Sequence, residues 1–261
     1  MIGVFDSGLG GLSVLAAIAR ALPRADLAYV ADTAHVPYGN KPEGFIRGRV
    51  VTIGEHLVGQ GCGMLVVACN TATVAAVRAL RERFPNLPIV GVEPGVKPAA
   101  IGSRTKRSAV LATEATAQSE RLATLIREHA SNAEVIIQPC PGWATRVEAL
   151  DIADAGFAAE IAAHVEPLLA AGADRLVLGC THYSFLAPVL APLVAGRAEL
   201  VDVAEAVARQ CLRLAGNAAS GSGRLQLSAT AHPERLRAAL PALGLAWLAE
   251  RQHGPATLTA A

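Results

Sequence analysis

Two short stretches of this 261-residue chain repeat one order of groups: "VVACNTAT", from Val66 to Thr73, and "VLGCTHYS", from Val177 to Ser184. Each closes an apolar run with a small residue and a cysteine, then sets hydroxyl, amide or imidazole groups behind it. A thiol at a helix start has a lowered pKa, and a neighbouring hydroxyl or imidazole stabilises the thiolate or takes its proton. Such a thiol can work as a base or as a nucleophile. Cys69 is followed by Asn70 and Thr71, Cys180 by Thr181 and His182, and the backbone N–H groups of a helix start would hold a carboxylate. Most free cysteines that end strands are buried small hydrophobes. Two in matched contexts, each leading a polar group of residues, argue for chemistry instead. A zinc site from Cys69, Cys180 and His182 lacks the usual paired ligand spacing, so no metal is expected. A Cys-His nucleophile leaves the second cysteine unexplained.

A third polar cluster, "FDSGLGG", follows the first apolar run and brings Asp6 and Ser7 before three glycines. It lacks the Lys of a P-loop and the full GxGxxG, which makes a nucleotide site a weak reading. Asp6 reads equally as a helix N-cap or as a working carboxylate beside Cys69. "ADTAHVPYG" adds Asp32, Tyr38 and Gly39 after the second run, in what could also be an ordinary Pro-Gly loop.

These groups need elements to position them. The runs "IGVF", "LAYVA", "MLVVA", "PIVGV", "SAVLA", "EVIIQ", "RLVLG" and "ELVDV" are short and continuous, which predicts buried parallel strands. Stretches at helical spacing lie between them, among them "ATVAAVRALRERF" and "GFAAEIAAHVEPLLAAG". The βαβα alternation predicts an α/β fold with helices on both faces of parallel sheets. "EPGVKPAAIGSRTKRS" interrupts the series after its fourth run, and the division expected is a first lobe of residues 1–95 plus 205–261 and a second of 96–204. After Val203 a helical stretch, the "GNAASGSG" spacer, a short "LQLSAT" run and the helix-like "HPERLRAALPAL" are expected to pack back on the first lobe. The two cysteine stretches then fall at equivalent places, each at the carboxyl end of a strand, where open α/β sheets bind ligands. Two similar lobes would let Cys69 and Cys180 face one another across a cleft.

Composition narrows the field further. A net charge of +1 gives no electrostatic bias towards nucleic acid or anionic membrane, and 4% aromatic residues leave few stacking platforms. The start does not read as a signal peptide, and no run of about 18 apolar residues is present, so a cytoplasmic location is expected. The five cysteines, Cys62, Cys69, Cys140, Cys180 and Cys211, have no CxxC spacing and are expected as free thiols, with Cys62, Cys140 and Cys211 in packing or at the surface. The only lysines, Lys41, Lys97 and Lys106, fall in polar or Pro-rich segments read as loops, which disfavours a pyridoxal Schiff base.

The successive segments "GVFDSGLGGLSVL", "YVADTAHVPYG", "VVACNTATVAAV", "VGVEPGVKPA" and "LVLGCTHYSFL" resemble, in order, the signature segments of the glutamate racemases. "ACNTAT" with "GCTHY" is nearer to these than to aspartate racemases, and "PCPGWATRVEALD", with Trp143, is the most divergent segment. The resemblance implies a cofactor-independent enzyme that interconverts L- and D-glutamate and supplies D-glutamate for bacterial peptidoglycan, with its site between two α/β lobes and a homodimeric assembly. It further implies that Cys69 and Cys180 are the catalytic pair, exchanging roles as base and acid, with Asp6 and His182 assisting proton movement. Ser7, Tyr38, Gly39, Asn70, Thr71 and Thr181 match substrate-holding positions, Asp32 and Glu148 match auxiliary carboxylates, and Thr113 matches the side-chain end of the pocket. The chain opens almost directly on its first strand, so the activator site that some relatives build from an N-terminal extension is not expected. Rival readings are a two-lobed amino-acid-binding protein, a racemase for aspartate, and a decarboxylase of aryl-substituted malonates that uses one cysteine.

Overall fold

The computed structural model describes residues 1–251. They form two compact units, one of Met1–Val92 with the segment from Ala204 onwards, the other of Glu93–Val203.

In the first unit, β1 (Ile2–Asp6), α1 (Leu12–Ala21), β2 (Leu27–Ala31), α2 (Glu43–Gly59), β3 (Met64–Val67), α3 (Asn70–Arg83) and β4 (Ile89–Gly91) alternate as the apolar runs require. The second unit continues with α4 (Val96–Gly102), β5 (Arg107–Ala112), α5 (Glu114–Ala117), α6 (Glu120–His129), β6 (Glu134–Pro139), α7 (Trp143–Glu148), α8 (Ala155–Ala170), β7 (Arg175–Leu178), α9 (Ala187–Val194) and β8 (Glu199–Val201). The chain then returns to the first unit through α10 (Ala204–Leu214), β9 (Leu225–Ala229), α11 (Pro233–Ala242) and α12 (Ala246–Glu250).

Both sheets are wholly parallel, in the orders β4-β3-β1-β2-β9 and β6-β5-β7-β8. Set first strand against first strand, the two orders are the same, with β9 added outside β2. The C-terminal run thus packs back on the first unit by extending its sheet, with Tyr29 level with Leu227. In each unit the order reverses between the first and third strands, β1 and β3 or β5 and β7. The carboxyl ends of those strand pairs are the topological switch points at which open α/β sheets bind ligands.

The strands are continuous apolar runs because helices cover them. Phe5, Val30, Leu65 and Val67 pack with Ile46, Val50, Ile53 and Leu57 of α2 and with Ala72, Ala76 and Leu80 of α3. On the second sheet, Val110, Ala112 and Val177 pack with Val96 and Ala99 of α4 and with Leu122 and Leu125 of α6. Edge strand β6 departs from the buried reading: Ile137 is 36% exposed and the rest of the strand is half-buried or exposed. It has a neighbour on one side only, so its apolar residues do not imply burial on both faces. Lys97 corrects another expectation, since it lies in the first turn of α4, exposed, and not in a loop.

The two cysteine-bearing turns differ in the residue before the thiol, Ala68 in one and Gly179 in the other. A Cβ on Gly179 would sit 2.7 Å from the carbonyl oxygen of Leu111, to which the Gly179 N–H already donates at 2.7 Å. Backbone cannot yield as the end of a side chain can. Gly179→Ala should therefore cost the second unit about 1–3 kcal/mol, the range for overpacking. Urea unfolding measures it, and an unchanged midpoint would refute the close approach.

Candidate active site

The register brings the reactive groups together before any side chain is considered. Phe5 is level with Val67, and Leu111 with Leu178. Two steps further along each pair stand Ser7 beside Cys69 and Thr113 beside Cys180. A hydroxyl-bearing residue therefore occupies the same register position in each sheet. The two cysteines share one extended conformation, φ −138° and ψ 121° at Cys69 and φ −141° and ψ 136° at Cys180.

In the first unit Cys69 caps α3, and its Sγ accepts from the Ala72 N–H at 3.5 Å. A helix N-terminus that donates to sulfur favours the thiolate. Sγ also lies 3.9 Å from the Ser7 hydroxyl, which donates to Asp6 Oδ1 at 3.1 Å. Asp6 Oδ1 takes the Ser7 N–H at 2.5 Å as well, and Oδ2 takes the Gly11 N–H. The N-cap residue of α1 is Gly11, so Asp6 is not itself that cap; it holds the turn from inside while joining Cys69 through Ser7. Asn70 donates weakly to the Val92 carbonyl at 3.5 Å, and its Oδ1 is buried with no partner. A buried acceptor without a donor costs roughly 1–3 kcal/mol, which a ligand ammonium or hydroxyl would relieve. Thr71 is buried in the first turn of α3, and Thr73 ties β3 to β4 by donating to Val67 O and accepting from the Val92 N–H.

Tyr38 and Gly39 open a 3₁₀ turn, Tyr38–Asn40. The Tyr38 phenol is buried and donates to Asp32 Oδ2 at 2.5 Å, so the hydroxyl points to the protein and is not left for a ligand. Asp32, also buried, takes both arms of Arg49 at 2.9 Å. Burial alone would raise its pKa; the hydrogen bonds from Arg49, Tyr38 and Thr230 outweigh that and hold it below the usual carboxylate value. Removing one partner of such a buried pair typically costs about 3–5 kcal/mol, whereas the exposed ion pairs of this chain, such as Arg78 with Glu82, contribute little.

In the second unit the residues after Cys180 form a 3₁₀ helix, Thr181–Leu186, before α9 begins, so no α-helix starts directly at this cysteine. Its turn carries buried Thr181 and His182. His182 Nδ1 lies 3.5 Å from Cys180 Sγ and Nε2 lies 2.5 Å from Glu148 Oε1. A neutral ring donates from Nε2 to Glu148 and accepts the thiol proton at Nδ1; a protonated ring donates to thiolate and carboxylate together. Burial works to lower the His182 pKa, but the Cys180 contact and then Glu148 outweigh it, and the imidazole is held well above its ordinary value. Each thiol thus leads through one polar group to a carboxylate, by Ser7 to Asp6 and by His182 to Glu148. Thr113 sits at the end of β5 as the N-cap of α5, its oxygen accepting from the Thr116 N–H at 3.3 Å.

Trp143, from the divergent segment, is buried among Phe157, His164 and Tyr183 on the helix that ends in Glu148. Tyr183, next to His182, donates to the Cys140 carbonyl at 3.1 Å. All five cysteines are free, and burial pushes the Cys62 thiol up to about 11 and those of Cys140 and Cys211 up to about 12. Those three are packing groups in the interior and none is at the surface. Among the described residues no group of three His, Cys, Asp or Glu side chains is arranged to hold a metal ion, and no helix is long and apolar enough to cross a membrane.

The sequence profile described as Asp/Glu/Hydantoin racemase matches residues 2–211. The chain belongs to that racemase family. Glutamate racemases of Pseudomonas putida strain F1 and Pseudomonas aeruginosa strain PAO1 are 48% identical over 246 residues and 47% identical over 246 residues, each alignment covering 93% of both chains. Among solved structures, Escherichia coli glutamate racemase in complex with L-glutamate and the activator UDP-MurNAc-Ala matches with a TM-score of 0.84, 32% identity, and coverage of 93% of this chain and 94% of that one. The Bacillus anthracis glutamate racemase isoform RacE1 matches at 0.85, with 28% identity and 94% of each chain covered. Two α/β units, each with a parallel sheet flanked by helices, are thus the fold of this racemase and of its glutamate racemase relatives.

The His182 pair gives a signed expectation. A group whose folded pKa is raised stabilises the fold fully below its ordinary value of 6.5, and that contribution fades as pH rises through the folded value. Glu148→Gln removes one of the groups that raise it. His182 should then titrate at lower pH by NMR, and the variant should lose more stability against wild type at pH 6 than at pH 9. An unmoved His182 titration would refute the link.

Proposed function

We propose that this racemase interconverts L- and D-glutamate without a cofactor, with Cys69 and Cys180 as the paired base and acid. What carries the reading is the matched setting of the two thiols: the same strand end, the same backbone conformation and the same chain of groups leading to a carboxylate in each unit. The names of the relatives supply the substrate, glutamate.

Racemisation removes the α-proton from one face and returns a proton to the other, so base and acid must exchange roles when the reaction reverses. A pair of thiols, one on each unit, supplies that symmetry. The Cys69 thiolate takes the α-proton of D-glutamate while the Cys180 thiol protonates the opposite face, and for L-glutamate the roles swap. Ser7 with Asp6, and His182 with Glu148, then reset the two protonation states. The α-proton is a very weak acid, so the developing carbanion needs electrostatic stabilisation in a dry site. The N–H groups at Tyr38–Gly39 and around Asn70, Thr71 and Thr181 would hold the substrate's carboxylates, Asn70 Oδ1 would accept from its ammonium, and Thr113 would border its side chain. The same reading puts the enzyme in the cytoplasm, as a homodimer, supplying D-glutamate for peptidoglycan.

The test follows L-glutamate, and separately D-glutamate and L-aspartate, by polarimetry in D₂O with nothing added. The wild type should racemise both glutamate enantiomers with deuterium entering at the α-carbon, while aspartate stays unchanged. Cys69→Ala and Cys180→Ala should each slow racemisation by about 10²–10⁴-fold or more, the contribution of a lost acid or base. Normal racemisation by either variant would sink the two-thiol mechanism.

A further inference from the structure

We propose that Arg49 and Thr230 are positioning residues of the substrate site, and that Asp32, which they saturate, is the fixed centre of this clamp and takes no part in proton transfer. The proposal rests on the reading above that the Tyr38–Gly39 turn holds glutamate.

A carboxylate has about four lone-pair sites, and all those of Asp32 are taken. Oδ1 accepts from Arg49 Nη2 at 2.9 Å and from the Thr230 hydroxyl at 2.8 Å; Oδ2 accepts from Arg49 Nε at 2.9 Å and from the Tyr38 phenol at 2.5 Å. No position remains for a proton on its way to or from a substrate. The side chain is fully buried, and it stays ionised because these donors outweigh the cost of burial. A general base must offer a free lone pair within reach of the proton it takes, and Asp32 offers none.

The same bonds fix the loop. The Tyr38 ring packs in the core cluster that includes Ile46, Val50 and Cys69, so the phenol ties the 3₁₀ turn to the sheet from beneath. Thr230 comes from the end of β9, almost two hundred residues further along the chain. Its hydroxyl donates to Asp32 and accepts from the Ala34 N–H at 3.0 Å, and its own N–H extends the β2–β9 ladder to Ala31 O at 3.0 Å. Beside it Ala231 donates to the Thr33 hydroxyl at 3.0 Å, and that hydroxyl donates back to the Ala231 carbonyl. The segment Thr33–Asn40 is therefore stitched to β9 at one end and to Asp32 at the other. An error of about 1 Å in a positioning turn is enough to lose a large factor in turnover or binding.

The decisive variants are Thr230→Val, which keeps the shape and removes the hydroxyl, Thr230→Ser, which restores it, and Arg49→Lys, which cannot reproduce the two-armed contact. Kinetics are measured with both glutamate enantiomers across pH, alongside amide hydrogen exchange without ligand. In Thr230→Val and Arg49→Lys the KM should rise about tenfold for both enantiomers, with kcat within about twofold and its pH profile unmoved, the pattern of lost binding that is equal in ground and transition states. Thr230→Ser should return KM to wild type, and amides of residues 33–41 should exchange faster in Thr230→Val and Arg49→Lys but not in Thr230→Ser. Asp32→Asn should likewise raise KM and leave the pH limbs of kcat in place. A collapse of kcat with loss of a pH limb in Asp32→Asn would make Asp32 a proton-transfer group, and wild-type KM and exchange in Thr230→Val would remove Thr230 from the site; either overturns the proposal. Wild-type protein that leaves glutamate unchanged would instead sink the substrate reading, while the exchange data would still decide whether the clamp holds the turn.

Discussion

The hydrogen-bonded register between the first and third strands of each parallel sheet fixes everything else at the candidate site. Backbone pairing of Phe5 with Val67, and of Leu111 with Leu178, leaves no freedom in which residues emerge side by side past the strand ends. A slip of one residue would turn every side chain of the displaced strand to the other face and part Cys69 from Ser7. The register is held because both faces of these strands are packed: a displaced β3 would set Leu65 and Val67 against the wrong partners. Parallel strands require a crossover between them, and it is the crossover helix that meets Cys69 with its N–H groups.

Two solutions to one electrostatic problem appear at these equivalent places. In the first unit a helix N-terminus and the Ser7 hydroxyl attend the sulfur, with Asp6 behind. In the second no α-helix begins at the cysteine, and the imidazole of His182 takes the place of the helix, with Glu148 behind. A 3₁₀ turn suits this role, since it brings residue 182 back towards residue 180 with its ring against the sulfur. The three remaining thiols have no such attendants, and burial keeps them protonated.

Buried charge away from the thiols does structural work. Asp32 draws together β2, the Tyr38 turn, α2 and the end of β9. Polar networks of this kind fix a single arrangement when every member is satisfied. The clamp also gives the C-terminal strand a reason to be where it is, since without β9 the outer side of β2 and the loop after it would lack their partners.

The sequence by itself determined the class of fold and named the candidate groups. Continuous apolar runs and helical spacing are local patterns, so β1 to β8 were legible as strands and β9 as a short run, and the paired "ACNT" and "GCTH" stretches marked the thiols and His182 without any coordinates. Burial was less legible: β6 reads as a core strand from its residues, yet its place at the sheet edge leaves it half exposed, because position in a sheet is decided by long-range pairing. Only the tertiary structure decided which polar groups serve which partner. Glu148 reaches His182 from thirty-four residues away, Thr230 reaches Asp32 from almost two hundred, and Arg49 stands on a helix where nothing in its neighbours distinguishes it from the exposed Arg47. Hydrogen bonds act over about 3 Å in space without regard to separation along the chain, and a sequence pattern has no means to express that distance.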